Sequence, residues 1–111
     1  MELVQNYISG EYVAPRSTSR LDLYDPAVGE VYGQLVDSNS EDVQDAVRSA
    51  KDAFPTWSGL SSNERANYLL AIAEEIDSQS DNFSEFESRD TGKPITLARS
   101  LDIPRSISNL K

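Results

Sequence analysis

The sequence has neither cysteine nor histidine among its 111 residues. Without cysteine it cannot form disulfides, thiolate nucleophiles or Cys-ligated zinc and iron–sulfur sites. Without histidine it lacks imidazole bases, Ser-His-Asp triads and the usual ligands of catalytic zinc. Carboxylate, lysine and tyrosine chemistry remain available, so most of the familiar catalytic side chains are missing from this chain.

Positive charge is also scarce, because ten Lys and Arg stand against nineteen Asp and Glu, a formal net charge of −9. So acidic a surface repels phosphate backbones and anionic lipids, and we expect neither nucleic acid nor a membrane as a partner. No apolar run approaches the ~20 residues of a membrane span, and residues 1–6 lack the features of a signal peptide. We therefore expect a soluble, cytoplasmic protein.

Residues 1–40 have the pattern of strands. Aromatic and β-branched residues on both sides of Ser9-Gly10-Glu11 predict a hairpin closed by this three-residue loop. Alternating apolar residues predict two more strands, one around Leu21–Tyr24 and one over about 31–35. Between them, Asp25-Pro26-Ala27-Val28-Gly29 predicts a turn, since proline fixes φ and glycine tolerates positive φ.

Residues 41–111 have the pattern of helices. Ser38 and Glu41 have the spacing of a capping box, which predicts a helix over about 40–54 that Pro55 ends. Three more helices are predicted. The second covers about 62–78, with a capping box of Ser61 and Glu64, and the third covers about 80–91, with Ser80 as N-cap and Gly92 at its end. The fourth begins at Ile95, and Pro104 either kinks or restarts it.

Apolar residues at helical spacing predict which helix faces are buried. Trp57 is expected in the core, between two helices. Ile103, Ile107 and Leu110 are still in helical register near the last residue, which indicates a domain that is incomplete at its C-terminus. The predicted buried faces are two stripes. The first, on the helix over about 40–54 (α1) and called the α1 stripe below, consists of Val43, Ala46, Val47, Ala50 and Phe54; the second consists of Ala66, Leu69, Ile72, Ala73 and Ile76.

The sequence offers few candidates for chemistry. Thr91-Gly92-Lys93-Pro94 contains a Gly-Lys pair, but Glu87 and Pro94 occupy the positions where a phosphate-binding loop needs Gly and Ser or Thr. A helix C-cap is the better interpretation, and no G-x-G-x-x-G motif is present. The carboxylates around Glu74 and Glu85 fit solvated helix faces, while Asp90 lies at a helix end from which it can reach a neighbouring loop.

Five short motifs follow one another at a spacing typical of one enzyme family. The sequence resembles the N-terminal segment of aldehyde dehydrogenases over nearly its whole length, and residues 97–107 are similar to 2-aminomuconic and 2-hydroxymuconic semialdehyde dehydrogenases. The motifs are Asn6–Tyr12, Asp25–Val31 with Val28 in place of the usual Thr, the helix from Asp42-Val43 to Trp57, Ser61–Arg65, and Asp90-Thr91-Gly92-Lys93-Pro94.

The resemblance implies an α/β, Rossmann-like NAD-binding domain of which residues 1–111 are the N-terminal part. Strands and turns are expected over 1–40 and helices over 41–111. It implies an oxidoreductase that converts an aldehyde, here a muconic semialdehyde, to a carboxylic acid with NAD or NADP. It also implies a homo-oligomer in which the remainder of the dehydrogenase chain covers this segment.

The family's nucleophilic Cys, general-base Glu and oxyanion-binding Asn all lie downstream of the matched part. We therefore expect no catalytic residue, no cofactor-binding residue and no bound cofactor in this chain, which alone should be inactive. Many family members hold a structural monovalent cation, and the matching positions are the main-chain carbonyls of Leu23 and Tyr24 and the side chain of Asp90. A further ligand lies downstream, so the predicted cation site is partial.

The alternative is a non-catalytic, stand-alone docking module that binds full-length dehydrogenase subunits. The residues expected to separate the two interpretations are Ile103, Ile107 and Leu110. A docking module should hide them against its partner, whereas an N-terminal fragment should leave them exposed.

Overall fold

The computed structural model describes residues 2–111. They form two compact units, one made of the residues up to Tyr24 together with Glu30–Gly59, the other of Asp25–Gly29 and Leu60–Lys111. The first unit holds the strands and the first helix, and the second holds one turn and the remaining helices. No helix within residues 2–111 is long and apolar enough to cross a membrane.

Five strands make two small sheets. A three-stranded sheet has the order β1-β5-β4, with β1 parallel to β5 and Leu3 opposite Gln34. A separate antiparallel pair joins β2 and β3, with Tyr7 opposite Tyr12. The strands are β1 (Glu2–Val4), β2 (Asn6–Ile8), β3 (Glu11–Val13), β4 (Arg20–Asp25) and β5 (Glu30–Val36).

The sequence did not predict β1. With three residues it is too short to show an alternating pattern, and its partner β5 follows more than twenty residues later. The hairpin is confirmed, but its turn has two residues, Ser9 and Gly10, because Glu11 already pairs with Ile8. Ser9 has φ 57° and Gly10 has φ 83°, and two successive left-handed residues match the right-handed twist of the strands.

Helix α1 (Ser40–Ser58) corrects two predictions about its ends. Its N-cap is Asn39, whose side chain accepts from the N–H of Asp42 at 3.0 Å while Asp42 accepts from the N–H of Asn39 at 3.0 Å. Ser38 is engaged elsewhere, because its hydroxyl accepts from the side-chain amide of Asn6 at 2.8 Å. Pro55 does not end the helix: it lies in the last turn, where its missing N–H costs a single hydrogen bond.

Helix α2 (Ser62–Ser78) is capped as predicted, by a capping box of Ser61 and Glu64. Helix α3 (Ser80–Thr91) follows after a single residue, Gln79, so its N-cap is not Ser80. A last helical segment then runs through three parts. They are α4 (Ile95–Leu97), a π-helical turn over Ala98–Asp102, and α5 (Ile103–Leu110), whose first turn contains Pro104. The backbone stays right-handed helical at Asp102 and Ile103, and the N–H of Ile103 donates to the carbonyl of Ala98. The helix therefore continues through the π-helical turn and does not restart at Pro104; a proline and a π-helical turn are both common causes of a kink.

The apolar core of the second unit lies between α2 and α5. Ala73 is fully buried, Ile103 and Ile107 are 8% exposed, and Ile76 and Leu110 pack against them. The expectation that α5 would either stay exposed or need a partner is therefore wrong, since α2 of the same chain covers it. The exposure of Ile103, Ile107 and Leu110 consequently does not distinguish an N-terminal fragment from a docking module.

The predicted burial of the α1 stripe is wrong for this chain. Val43 is 56% exposed, Val47 49% and Phe54 64%, and Trp57 is 38% exposed rather than buried. The second stripe is half correct, because Ala73 and Ile76 are covered whereas Leu69 and Ile72 remain exposed. Periodicity identifies the apolar face of a helix, but a neighbouring element must be present to bury it.

Candidate functional site

The segment Asp90-Thr91-Gly92-Lys93-Pro94 forms the C-cap of α3, as predicted. Gly92 has φ 77°, and its N–H donates to the carbonyl of Ser88 at 2.9 Å. The hydroxyl of Ser88 donates to the carbonyl of Lys93 at 2.6 Å, and Thr91 Oγ1 accepts from the N–H of Lys93 at 3.2 Å. The left-handed glycine lets the chain leave the helix, and these bonds satisfy its last main-chain groups.

The lysine of this segment pairs with a carboxylate. Lys93 Nζ lies 2.7 Å from Oδ2 of Asp102, an oxygen that is buried in the π-helical turn. This hydrogen bond to Asp102 raises the pKa of Lys93. The positive charge of Lys93 is thus paired with a carboxylate of the same unit. This pairing agrees with the rejection of a phosphate-binding loop.

Two of the motifs that carry the family resemblance contact each other in the second unit. A Cβ placed on Gly92 lies 3.1 Å from the Cβ of Pro26 in the Asp25–Gly29 turn. That turn is closed by the N–H of Gly29, which donates to the carbonyl of Asp25 at 2.7 Å. Glycine suits this position because it adopts the left-handed φ without strain and leaves room for Pro26.

Beside the Lys93–Asp102 pair lies a cavity of about 310 Å³. Its charged groups are two cations and two carboxylates, so its formal charge balances. No strongly charged ligand is favoured there on electrostatic grounds. The lining residues are Glu87, Lys93, Asp102, Ile103, Arg105, Ser106 and Asn109.

The first unit has a polar cluster at the start of α1. The N–H of Arg16 donates to Oδ1 of Asp42 at 2.7 Å, and its guanidinium donates to both oxygens of Asp45 at 2.8 and 3.3 Å. The N–H of Arg16, followed by that of Asn39, lowers the pKa of Asp42, and the Arg16 guanidinium lowers the pKa of Asp45. This cluster ties the loop before β4 to α1.

The partial cation site remains a prediction. Leu23 and Tyr24 lie in β4, within the first unit, whereas Asp90 lies near the end of α3, within the second. No group of three or more acidic side chains in residues 2–111 is arranged to hold a metal ion. Since the predicted ligands are mainly carbonyl oxygens, that finding does not test the site.

The N-termini of α1 and α2 do not fit the pyrophosphate of a dinucleotide. Helix N-termini bind phosphate when their N–H groups are open to the ligand. The N-terminus of α1 is closed by Asn39 and Asp42, and that of α2 by Ser61 and Glu64. Each cap uses two of the free N–H groups and places a carboxylate where the pyrophosphate would need positive potential.

Sequence reasoning missed both polar clusters. Asn39 and Asp42 have the cap-and-N3 spacing of a capping box, a signal obscured by Ser38 and Glu41 one residue earlier. The Arg16–Asp45 pair joins residues 29 positions apart, and the Lys93–Asp102 pair joins the end of α3 to the π-helical turn. No local pattern indicates such pairs, because the fold alone brings them together.

Comparison with known proteins identifies the protein family to which the chain belongs. The model of the aldehyde dehydrogenase family matches residues 12–111. The chain therefore belongs to the aldehyde dehydrogenase family, and its strands followed by helices correspond to an N-terminal segment of that fold.

Individual members of this family are similar to the chain over nearly its whole length. Over 109 residues, 98% of this chain and 22% of the relative, it is 43% identical to 2-aminomuconic semialdehyde dehydrogenase of Danio rerio. It is 38% identical to the enzyme of the same name in Homo sapiens, with the same coverage. The crystal structure of PnpE in complex with nicotinamide adenine dinucleotide superposes with a TM-score of 0.94 at 36% identity, over 96% of this chain and 22% of PnpE. The chain thus spans about a fifth of the length of these relatives.

Proposed function

We propose that this chain is the N-terminal part of an NAD-dependent aldehyde dehydrogenase that oxidises a muconic semialdehyde to the corresponding carboxylic acid. The observation that carries the proposal is its similarity, over 98% of its length, to two enzymes named 2-aminomuconic semialdehyde dehydrogenase. NAD is proposed rather than NADP because the similar structure of PnpE holds that dinucleotide.

In this proposal the chain supplies structure and no reacting group. It has no cysteine to attack the aldehyde, and the capped N-termini of α1 and α2 do not suit a pyrophosphate. The partners are the remainder of a dehydrogenase chain and further copies of the whole enzyme, in the cytoplasm. No contact within the described residues favours the alternative docking module.

A chimera tests the proposal. The chain replaces the matched 109 residues of the Danio rerio relative, and NADH formation is followed at 340 nm with a muconic semialdehyde and, for comparison, a saturated aliphatic aldehyde. We expect NAD reduction by the chimera, with preference for the muconic substrate, and none by the isolated chain. A folded chimera that reduces no NAD contradicts the proposal.

The natural protein provides a second test. An antibody against residues 41–92, used on extract from the source organism, should detect a band far above 12.3 kDa. A band at 12.3 kDa alone contradicts the proposal that the chain is part of a longer enzyme.

A further inference from the structure

Lys93 and Asp102 belong to two stretches of sequence with different resemblances. Lys93 is part of Asp90–Pro94, a motif that resembles aldehyde dehydrogenases as a whole. Asp102 is part of residues 97–107, which are similar to semialdehyde dehydrogenases in particular. Lys93 Nζ lies 2.7 Å from Oδ2 of Asp102. The ion pair therefore joins a motif of the whole family to a stretch that resembles one substrate class.

Asp102 ends the π-helical turn, and this turn orients the start of α5. In an α-helix the side chains of Ala98 and Ile103 would point about 140° apart. The N–H of Ile103 donates to the carbonyl of Ala98, which adds one residue to the turn and brings the two side chains towards the same side. Both are buried, at 0% and 8% exposure. Turns of this kind are rare and are found frequently at functional sites.

The ion pair is better suited to fixing geometry than to adding stability. Oδ2 of Asp102 is buried, while the side chains of Lys93 and Asp102 are 38% and 24% exposed and border the cavity of about 310 Å³. A partly buried ion pair adds little net stability, because desolvation of the two charges offsets much of their attraction. Its contribution is therefore expected in the orientation that it gives to the π-helical turn.

We propose that Lys93 and Asp102 are positioning residues for substrate specificity. Their ion pair holds the π-helical turn and the start of α5 against the end of α3, and so fixes how residues 97–107 are presented in the whole enzyme. This inference rests on the proposed function, since the substrate class is taken from it. Lys93 and Asp102 act through the orientation of α5, and neither is assigned a contact with the substrate.

The test is made in the chimera with the Danio rerio relative. The paired variant, Lys93→Met with Asp102→Leu, removes both charges together, because removing one alone leaves the other charge unpaired in a partly buried place. The matched control is Arg99→Gln with Asp81→Asn. Arg99 also lies in the π-helical turn and pairs with Asp81 of α3 at 3.6 Å, but both of these side chains are at least 50% exposed.

For each variant, kcat and KM are measured with a muconic semialdehyde and with a saturated aliphatic aldehyde, and calorimetry gives the unfolding temperature. We expect the paired variant to lower the ratio of the two kcat/KM values, muconic to saturated, by roughly tenfold or more, because a small displacement of a positioned segment has effects of this size. Its unfolding temperature should change by less than roughly 3 °C. The control should change the ratio by less than roughly twofold, since an exposed ion pair holds little in place.

An unchanged ratio in the paired variant overturns the proposal, and so do equal effects of the paired variant and the control. If the paired variant does not fold, Asp102→Asn takes its place and should lower the ratio by roughly threefold or more, because it weakens a charge-assisted hydrogen bond while keeping the shape of the side chain. Lys93→Arg keeps the charge and should retain the ratio of the unsubstituted chimera.

The unsubstituted chimera separates this inference from the proposed function. If it folds but reduces no NAD, the proposed function is refuted and this inference with it. If it reduces NAD with preference for the muconic substrate and the paired variant keeps that preference, this inference alone is refuted.

Discussion

Helices α1 and α5 both have amphipathic sequences but lie in opposite environments. On α5, Ile103 and Ile107 are 8% exposed and pack with Ala73 of α2. On α1, Val47 and Phe54 face water, and the helix is held at its start by polar contacts from Asn39 and Arg16. An amphipathic pattern therefore says which face is apolar, while the neighbours decide whether apolar burial or polar contacts stabilise the helix.

The largest expected difference between the two helices lies in their apolar faces. Ile107→Ala should lower the free energy of unfolding of the chain by about 3 kcal/mol, because it leaves a cavity beside Ala73. Val47→Ala should cost less than about 0.5 kcal/mol, since half of that side chain is in water. Urea unfolding followed by circular dichroism measures both. Equal losses mean that the isolated chain buries the α1 stripe.

The turn between α3 and α4 shows how far the packing of the second unit depends on one close contact. Gly92→Ala should cost about 2 kcal/mol, because it combines a left-handed φ with a Cβ 3.1 Å from Pro26. Gly10→Ala is the control, with φ 83° and no atom within 4 Å of the added Cβ.

The same urea experiment measures both glycine variants. The amount by which Gly92→Ala lowers the free energy of unfolding more than Gly10→Ala does measures the contact with Pro26. Equal losses contradict the close approach of the two motifs.

The polar attachment of α1 is tested at its cap. Asn39→Ala should lower the free energy of unfolding by about 1 kcal/mol, because the N–H of Asp42 loses its acceptor. Ser38→Ala, at the position that the sequence alone indicates as the cap, should cost less than about 0.5 kcal/mol. Thermal unfolding of the two variants measures which substitution destabilises the chain more. A larger loss for Ser38→Ala than for Asn39→Ala would mean that Ser38 is the N-cap.

Acid should weaken the attachment of α1 and spare the apolar core around α5. The folded pKa values of Asp42 and Asp45 are lowered by Arg16, so their stabilisation is fully present above the unfolded pKa of about 3.9. It is lost as the pH falls through the folded pKa values. Urea unfolding between pH 7 and pH 3 should show this loss.

Asp45→Asn should slightly reduce the change in the free energy of unfolding between pH 7 and pH 3. Asp52→Asn, elsewhere on α1, serves as the control. Identical pH profiles for Asp45→Asn and the parent chain contradict the role of Arg16. The effect is the smallest of the series, because Arg16 and Asp45 are partly in water and solvent screens their attraction.

Much of the fold follows from local patterns. The hairpin, the Asp25–Gly29 turn, the capping box at Ser61 and the C-cap at Gly92 each depend on a few consecutive residues, and all were predicted. Strand β1 was missed because its partner β5 is distant along the chain. The Lys93–Asp102 pair was missed because it depends on how the chain folds between α3 and the π-helical turn. Of the candidate site, the sequence indicated the Asp90–Pro94 segment as a helix C-cap and rejected a phosphate loop there. The partial cation site at Leu23, Tyr24 and Asp90 stays a prediction.

By itself, the sequence determined most of the strands and helices, which helix faces are apolar, and that these residues carry no cysteine or histidine chemistry. These properties are set by turn residues, caps and periodicity, which act over a few residues. Only the tertiary structure decided that α5 is covered by α2, that α1 keeps its apolar stripe in water, and that Lys93 pairs with Asp102. The reason is physical: burial and ion pairing are properties of pairs of surfaces, and a one-dimensional pattern describes one surface at a time.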